Sequence, residues 1–189
     1  MTGQPILETR RLVLRPFVVA DAEEVQRQAG DREIASTTLN IPHPYEDGLA
    51  EAWILGHPRG FADGHFVVYA IVRRSDEALV GAIGLTIERA DNRAEMGYWV
   101  GRPYWGRGYA TEAAQAMVSY GFSALALVRI HASHLARNPS SGRVMEKVGM
   151  VREGCLRKHA LKWGVYEDLV LYGLLAEEYE PGAGDGPVP

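Results

Sequence analysis

The densest chemistry in the chain lies in one stretch: Glu95-Met-Gly-Tyr-Trp-Val100, then Gly101-Arg-Pro-Tyr-Trp-Gly-Arg-Gly108, then Tyr109-Ala-Thr-Glu112. An apolar, aromatic run that reads as a strand feeds a glycine-bearing loop, and the loop feeds the start of a helix. The first turn of a helix carries backbone N–H groups without intrahelical partners, and the macrodipole adds roughly half a positive charge there. Gly106 and Gly108 leave the approach to those amides open, so the segment suits an anion such as a phosphate. Two familiar phosphate loops are excluded. A dinucleotide fingerprint starting at Gly106 needs Gly or Ala where Thr111 stands, and the Gly-Lys-Ser/Thr of a P-loop does not occur. A bare Gly-x-Gly before a helix is equally a plain turn.

A second polar cluster, Asn138-Pro-Ser-Ser-Gly-Arg-Val-Met-Glu-Lys147, opens another helix with Pro at its first position. Each polar residue has an ordinary role to weigh. Asn138 would cap that helix, Ser141 would bond locally within it, and Lys147 would be a solvated surface lysine. Glu95, set in the apolar Ala94-Glu95-Met96, points either to solvent or to a site where it manages a proton. His134 is the rival base. Tyr98 and Trp99 read as well as core residues as they do as site residues. Cys155, the only cysteine, has no signature tying it to a histidine; it permits neither an internal disulfide nor a multi-cysteine zinc site, and no metal is expected.

The elements that must position these residues follow from periodicity and punctuation. Leu12 to Phe17 reads as a first strand, and Asp21 with Glu24 as a capping-box variant opening a short helix ended by Gly30. A second helix runs through Leu49, Trp53 and Leu55 to Gly56. Phe66–Val72, Leu79–Glu88 and Ala94–Val100 form a meander, with Gly81 and Gly84 marking a bulge or close backbone approach. Ala110, Ala113, Ala114, Met117, Val118, Gly121 and Leu125 define the buried face of the helix after the glycine loop. A strand at Val128–His134, the helix from Asn138 to Gly149, and strands at Val151–Ala160 and Val165–Leu175 complete a mixed α/β domain with one sheet.

Composition bounds the function. The chain has 189 residues, enough for one domain, with 47% hydrophobic residues. Its net charge of −4 excludes a wholly basic nucleic-acid binder. No apolar run approaches the ~18 residues of a membrane span, and the N-terminus lacks a secretory pattern, so a cytoplasmic protein without membrane or nucleic-acid partners is expected.

Taken together, Gly-Tyr-Trp-Val-Gly-Arg-Pro-Tyr-Trp-Gly-Arg-Gly-Tyr-Ala-Thr-Glu-Ala from Gly97 resembles the acetyl-coenzyme A signature of the GNAT N-acetyltransferase superfamily, Gln/Arg-x-x-Gly-x-Gly/Ala. Gly108 and Ala110 fill its last two places, and Trp105 stands in the Gln/Arg place. The Asn138–Met150 segment, Ile41-Pro-His-Pro-Tyr45 and Glu8-Thr-Arg-Arg-Leu-Val-Leu-Arg-Pro-Phe17 are similar to the branch of ribosomal-protein N-terminal acetyltransferases. The resemblance implies the GNAT acyl-CoA N-acyltransferase fold over residues 8–178; residues 179–189, whose Pro- and Gly-rich composition offers nothing to pack, are expected to be a disordered tail. It implies acetyl transfer from acetyl-coenzyme A directly to an amine, either a peptide N-terminus or a small molecule. A non-catalytic acyl-CoA sensor is the alternative, and a homodimer stays open.

The resemblance also assigns roles. The diphosphate is to lie on the amides of Gly106, Arg107, Gly108, Tyr109, Ala110 and Thr111. The pantetheine arm is to run along the backbone of Tyr98, Trp99 and Val100. Asn138 is to hold the cofactor's amide chain and Lys147 its outer phosphate. Ser141 is to protonate the leaving thiolate, and Glu95 is to act as general base.

Overall fold

The alternation Val67, Tyr69, Ile71 against Ala70, Val72 divides one run of sequence between two apolar layers, and the rest of the domain is built on that division. The computed structural model describes residues 3–180. Its strands are β1 (Leu7–Glu8), β2 (Leu12–Arg15), β3 (Phe66–Arg73), β4 (Leu79–Glu88), β5 (Arg93–Val100), β6 (Arg129–Leu135), β7 (Val151–Lys162) and β8 (Val165–Leu175). Its helices are α1 (Ala22–Ala29), α2 (Arg32–Thr37), α3 (Leu49–Ala62), α4 (Tyr109–Ser123) and α5 (Pro139–Lys147). The strands form one sheet in the order β1-β2-β3-β4-β5-β6-β8-β7. Helices α4 and α5 pack on one face through Ala113, Met117, Val118 and Met145, and α1 and α3 on the other through Val25, Ala29, Ala50 and Ile54.

All neighbouring strands are antiparallel except β5 and β6, which run parallel and pair only at Arg93↔Arg129, Ala94↔Ile130 and Glu95↔His131. Beyond Glu95 the two strands part, and the Met96–Val100 edge facing β6 has no partner strand among the described residues. A parallel pair needs a crossover, which α4 supplies, so both strands end on the same side of the sheet and the helices that follow begin there.

Several local expectations are corrected. Helix α3 does not stop at Gly56 but runs through Gly56 and Pro58 to Ala62, its buried face carrying Ala50, Ile54, His57 and Gly60. Asp21 caps nothing. Its carboxylate takes both Nη atoms of Arg15 at 2.7 Å and the Val18 amide at 2.9 Å. Two elements, β1 and the six-residue α2, are additions; both are too short to show a period. Gly81 and Gly84 do mark close approach, since a Cβ there would come within 2.2 Å of the Trp99 carbonyl oxygen and 2.7 Å of that of Val67. Of the tail, Tyr179 packs its ring 5.2 Å from Phe122, and residues 181–189 lie outside the described region. Among the described residues no helix is long and apolar enough to cross a membrane.

His57 is the unusual residue of the α1–α3 layer. It is 5% exposed, lies among Phe17, Trp53 and Phe66, and neither ring nitrogen has a hydrogen-bond partner among the described residues. Burial pushes its pKa down to about 4, so the folded state resists a proton that the unfolded chain accepts below its ordinary ~6.5. Stability should therefore fall as pH drops from about 6.5 to about 4, by at most about 3 kcal/mol, and not on this account thereafter. His57→Phe should flatten that slope and raise stability at pH 5, as read by urea unfolding at pH 7.5 and pH 5. An unchanged slope would remove His57 from the acid sensitivity.

Candidate active site

The parting of β5 and β6 opens a cavity of about 580 Å³. Glu95, Tyr98, Trp99, Val100, Gly106, Gly108, Tyr109, Ala110, Thr111, Asn138, Ser141 and Lys147 all line it. Arg107 is the exception among the residues singled out from the sequence: its side chain is exposed and outside the lining, while its carbonyl accepts from Arg11 Nη1 at 3.0 Å.

The start of α4 has the character of an anion site. Gly108 is its N-cap, with φ +78°, and no side chain caps the helix. Gly106 also holds a positive φ, +72°, and nothing lies within 4 Å of where its Cβ would be. The backbone here demands glycine for its own shape, independently of any phosphate, so a branched residue at Gly108 would strain the loop as well as fill the approach. The loop is braced from both sides. Trp105 donates its indole Nε1–H to the Val100 carbonyl at 2.5 Å, which accounts for a Trp in the Gln/Arg place. Arg11 pairs with Glu112 at 2.6 Å and lies over the Tyr109 ring at 4.9 Å, while Thr9 donates to the same carboxylate at 2.7 Å. Burial alone would raise the Glu112 pKa; the bonds from Thr9 and Arg11 outweigh it and hold the carboxyl below its usual range. Arg11 also offsets a negative charge that would otherwise sit in the first turn, beside any bound phosphate. Neither residue stood out in the sequence, because their contact spans about a hundred residues.

The pleat of β5 sends its side chains to two sides. Met96, Tyr98 and Val100 face the α4–α5 layer, whereas Glu95, Gly97 and Trp99 face the α1–α3 side. On the first side the Tyr98 hydroxyl reaches the Ser141 carbonyl at 3.0 Å and the Ser141 Oγ at 2.8 Å. Burial, partly opposed by the Ser141 bond, pushes the Tyr98 phenol up to about 12, so it stays protonated at neutral pH. The carbonyl can only accept. With the Tyr98 proton directed there, the phenol oxygen is free to take the Ser141 O–H. Asn138 makes no capping bond; its Nδ2 instead reaches the Thr37 carbonyl at 3.5 Å, across the cavity wall.

On the other side Ser133 Oγ lies 3.4 Å from Glu95 Oε1, and His131 is in register with Glu95 on the neighbouring strand. Burial lowers the His131 pKa, and the Glu95 carboxylate only partly opposes this, so its imidazole is neutral at pH 7. His134 belongs to the opposite face. It is buried, with Nδ1 bonded to the Leu135 carbonyl at 2.8 Å and its ring 5.7 Å from that of Tyr172. His134 nonetheless lines the cavity, from the α4–α5 side, whereas His131, in register with Glu95, is not part of the lining. Cys155 is exposed on β7, away from this cavity. Among the described residues no cluster of His, Cys, Asp or Glu could hold a metal ion.

Comparison with known proteins agrees with this architecture. Residues 11–151 match the family described as the acetyltransferase (GNAT) domain. An uncharacterized N-acetyltransferase of Bacillus subtilis, YoaA, is 32% identical over 172 residues, covering 90% of this chain and 97% of the relative. The ribosomal-protein-serine acetyltransferase of Escherichia coli is 28% identical over 125 residues, 66% of each chain. The crystal structure of a GNAT-family acetyltransferase from Bacillus anthracis superimposes with a TM-score of 0.81 at 28% identity, covering 92% of this chain and 99% of that one. With a family match over most of its length, one eight-stranded mixed sheet and relatives named for acetyl transfer, the chain belongs to the GNAT family of acetyltransferases.

Proposed function

We propose that the protein moves the acetyl group of acetyl-coenzyme A directly onto a primary amine inside the β5–β6 cavity, and that the amine is a peptide N-terminus or a small monoamine. The observation that carries this is the cavity's division. An uncapped helix start and a hydroxyl pair lie on one side of β5, and a carboxylate lies on the other. The residues fit acetyl-coenzyme A: the first-turn amides of α4 suit its diphosphate, the open edge of β5 suits its amide-bearing arm, and Lys147 and Arg143, exposed on α5 at the cavity rim, suit its outer phosphate. Asn138, which lines the cavity, would bond the same arm.

When bound, acetyl-coenzyme A supplies an activated acetyl group; the protein orients it and manages two protons. Glu95, with Ser133 beside it, holds the ammonium of the acceptor and lets one proton leave through water. The free nitrogen bonds to the carbonyl carbon as the carbon–sulfur bond breaks. Ser141 gives its Oγ proton to the departing sulfur and is restored by the second proton from nitrogen, so the products are an amide, a thiol and one proton. Among the described residues Glu95 is the one acidic side chain lining the cavity, and Ile34, Leu39 and Ile41 contribute apolar wall. This favours an acceptor with a single positive charge over a polycation, which would need several carboxylates. The name of the Escherichia coli relative supports a protein-borne amine.

Thiol release from acetyl-coenzyme A, measured over a panel of peptide amides, monoamines and polyamines, tests the reading. Cofactor binding with no turnover on any amine would favour a sensor. A charge variant tests the anion site more cleanly than a glycine variant. Thr111→Glu adds a carboxylate in the first turn of α4, where the dipole favours it, so stability should stay within about 1 kcal/mol. Coenzyme A affinity should fall about tenfold by repulsion from the diphosphate, read by calorimetry. Equal affinity in the variant would move the diphosphate elsewhere.

A further inference from the structure

Gly97 is a glycine that the fold does not require. It sits within β5, where a residue without a side chain weakens the strand and contributes nothing to packing. Its φ is not in the left-handed region, so any residue can take this backbone, and a Cβ built on it would meet nothing within 4 Å. Other sheet glycines differ. A Cβ at Gly81 would come within 2.2 Å of the Trp99 carbonyl oxygen, one at Gly84 within 2.7 Å of the Val67 carbonyl oxygen, and one at Gly173 within 2.4 Å of the Glu153 carboxylate. Backbone approach demands glycine at Gly81 and Gly84, and at Gly173 the space is taken by the ends of the Glu153 and Arg129 side chains. Gly154 is as unobstructed as Gly97, but it marks a register shift in β7, at the edge of the sheet.

The space left at Gly97 belongs to the cavity, whose wall it forms. The pleat directs the missing side chain to the same side as Glu95 and Trp99, between the carboxylate and the indole. It does so just past Glu95↔His131, the last pair joining β5 to β6. A side chain here would stand beside any amine held at Glu95, while the backbone edge and the start of α4 would be unchanged.

We infer that Gly97 sets the size of the acceptor: its bare Cα leaves the room taken by the group that carries the amine when the nitrogen is at Glu95. This rests on the acetyl-transfer reading of the cavity. Growing side chains at Gly97 should exclude bulky acceptors before they disturb coenzyme A.

The test uses binding, so no acceptor need be known. Coenzyme A, and conjugates in which its sulfur is joined through a CH2–CO bridge to the amine of glycinamide or of leucinamide, are titrated into the full chain and into Gly97→Ala and Gly97→Val. Melting temperatures of both variants should equal or exceed that of the unaltered protein, since Ala and Val are better strand residues. Affinity for coenzyme A and the glycinamide conjugate should stay within roughly threefold, and affinity for the leucinamide conjugate should fall stepwise, reaching about tenfold at Gly97→Val. Equal losses for all three ligands would assign the glycine to the cofactor arm and overturn the inference, as would no loss for any. Coenzyme A failing to bind the unaltered protein would instead defeat the acetyl-transfer reading, and this inference with it.

Discussion

Ser141→Ala should lower turnover by ~100- to 10,000-fold, the usual loss of a general acid, while coenzyme A affinity stays close to that of the unaltered protein. The argument is local. Ser141 Oγ lies 2.8 Å from the Tyr98 hydroxyl, which also reaches the Ser141 carbonyl at 3.0 Å; with the phenol proton given to that carbonyl, the mobile proton of the pair is the serine's. Turning that O–H toward a departing sulfur breaks one hydrogen bond and leaves the phenol anchored. Tyr98→Phe removes the anchor but not the donor, and should cost less turnover than Ser141→Ala. Its phenol, pushed up to about 12 by burial, would have to reach the sulfur itself to act as the acid. Single-turnover thiol release on the two variants decides the assignment. A larger loss in Tyr98→Phe would transfer the proton donor to the phenol, and unaltered turnover in Ser141→Ala would make the serine an ordinary helix residue.

Much of the cavity lining was legible in the sequence because the part proposed to hold the cofactor is local. Strand, glycine loop and helix start are continuous from Glu95 to Thr111, and their order alone implies an anion site. The α4 buried face followed from its period, with Ala113, Ala114, Met117, Val118 and Gly121 all buried as expected. What could not be read is what depends on contacts between distant segments. Arg11 bracing Glu112 and the loop carbonyl of Arg107, Asn138 reaching Thr37, and Lys162 holding the carbonyls of Leu39 and Ile41 from β7 each join elements far apart in the chain. Helix α3 was cut short because Gly56 and Pro58 carry the composition of a helix end. Burial of His57 and Gly60 against the sheet outweighs that local preference.

Glu95→Gln should reduce turnover at pH 7 by about a hundredfold and recover part of that loss at pH 9. An alkyl ammonium near ~10 must lose a proton before it can attack, and an ordinary carboxylate near ~4.3 is far too weak a base to take it outright. In the proposed reaction the carboxylate contributes by attracting the ammonium and orienting the water that carries the proton away, with Ser133 at 3.4 Å beside it. Its benefit is therefore greatest where little free amine exists. As pH rises toward the amine's own value, the neutral fraction grows without help, and the variant should close on the unaltered enzyme. Gln keeps the shape and the contact with Ser133, so a loss that shrinks with pH isolates the charge. A constant loss at both pH values would mean that Glu95 positions the acceptor without managing its proton. Equal activity of the two proteins at both would make Glu95 a structural residue and direct attention to His134, which lines the cavity from the α4–α5 side with Nδ1 bonded to the Leu135 carbonyl.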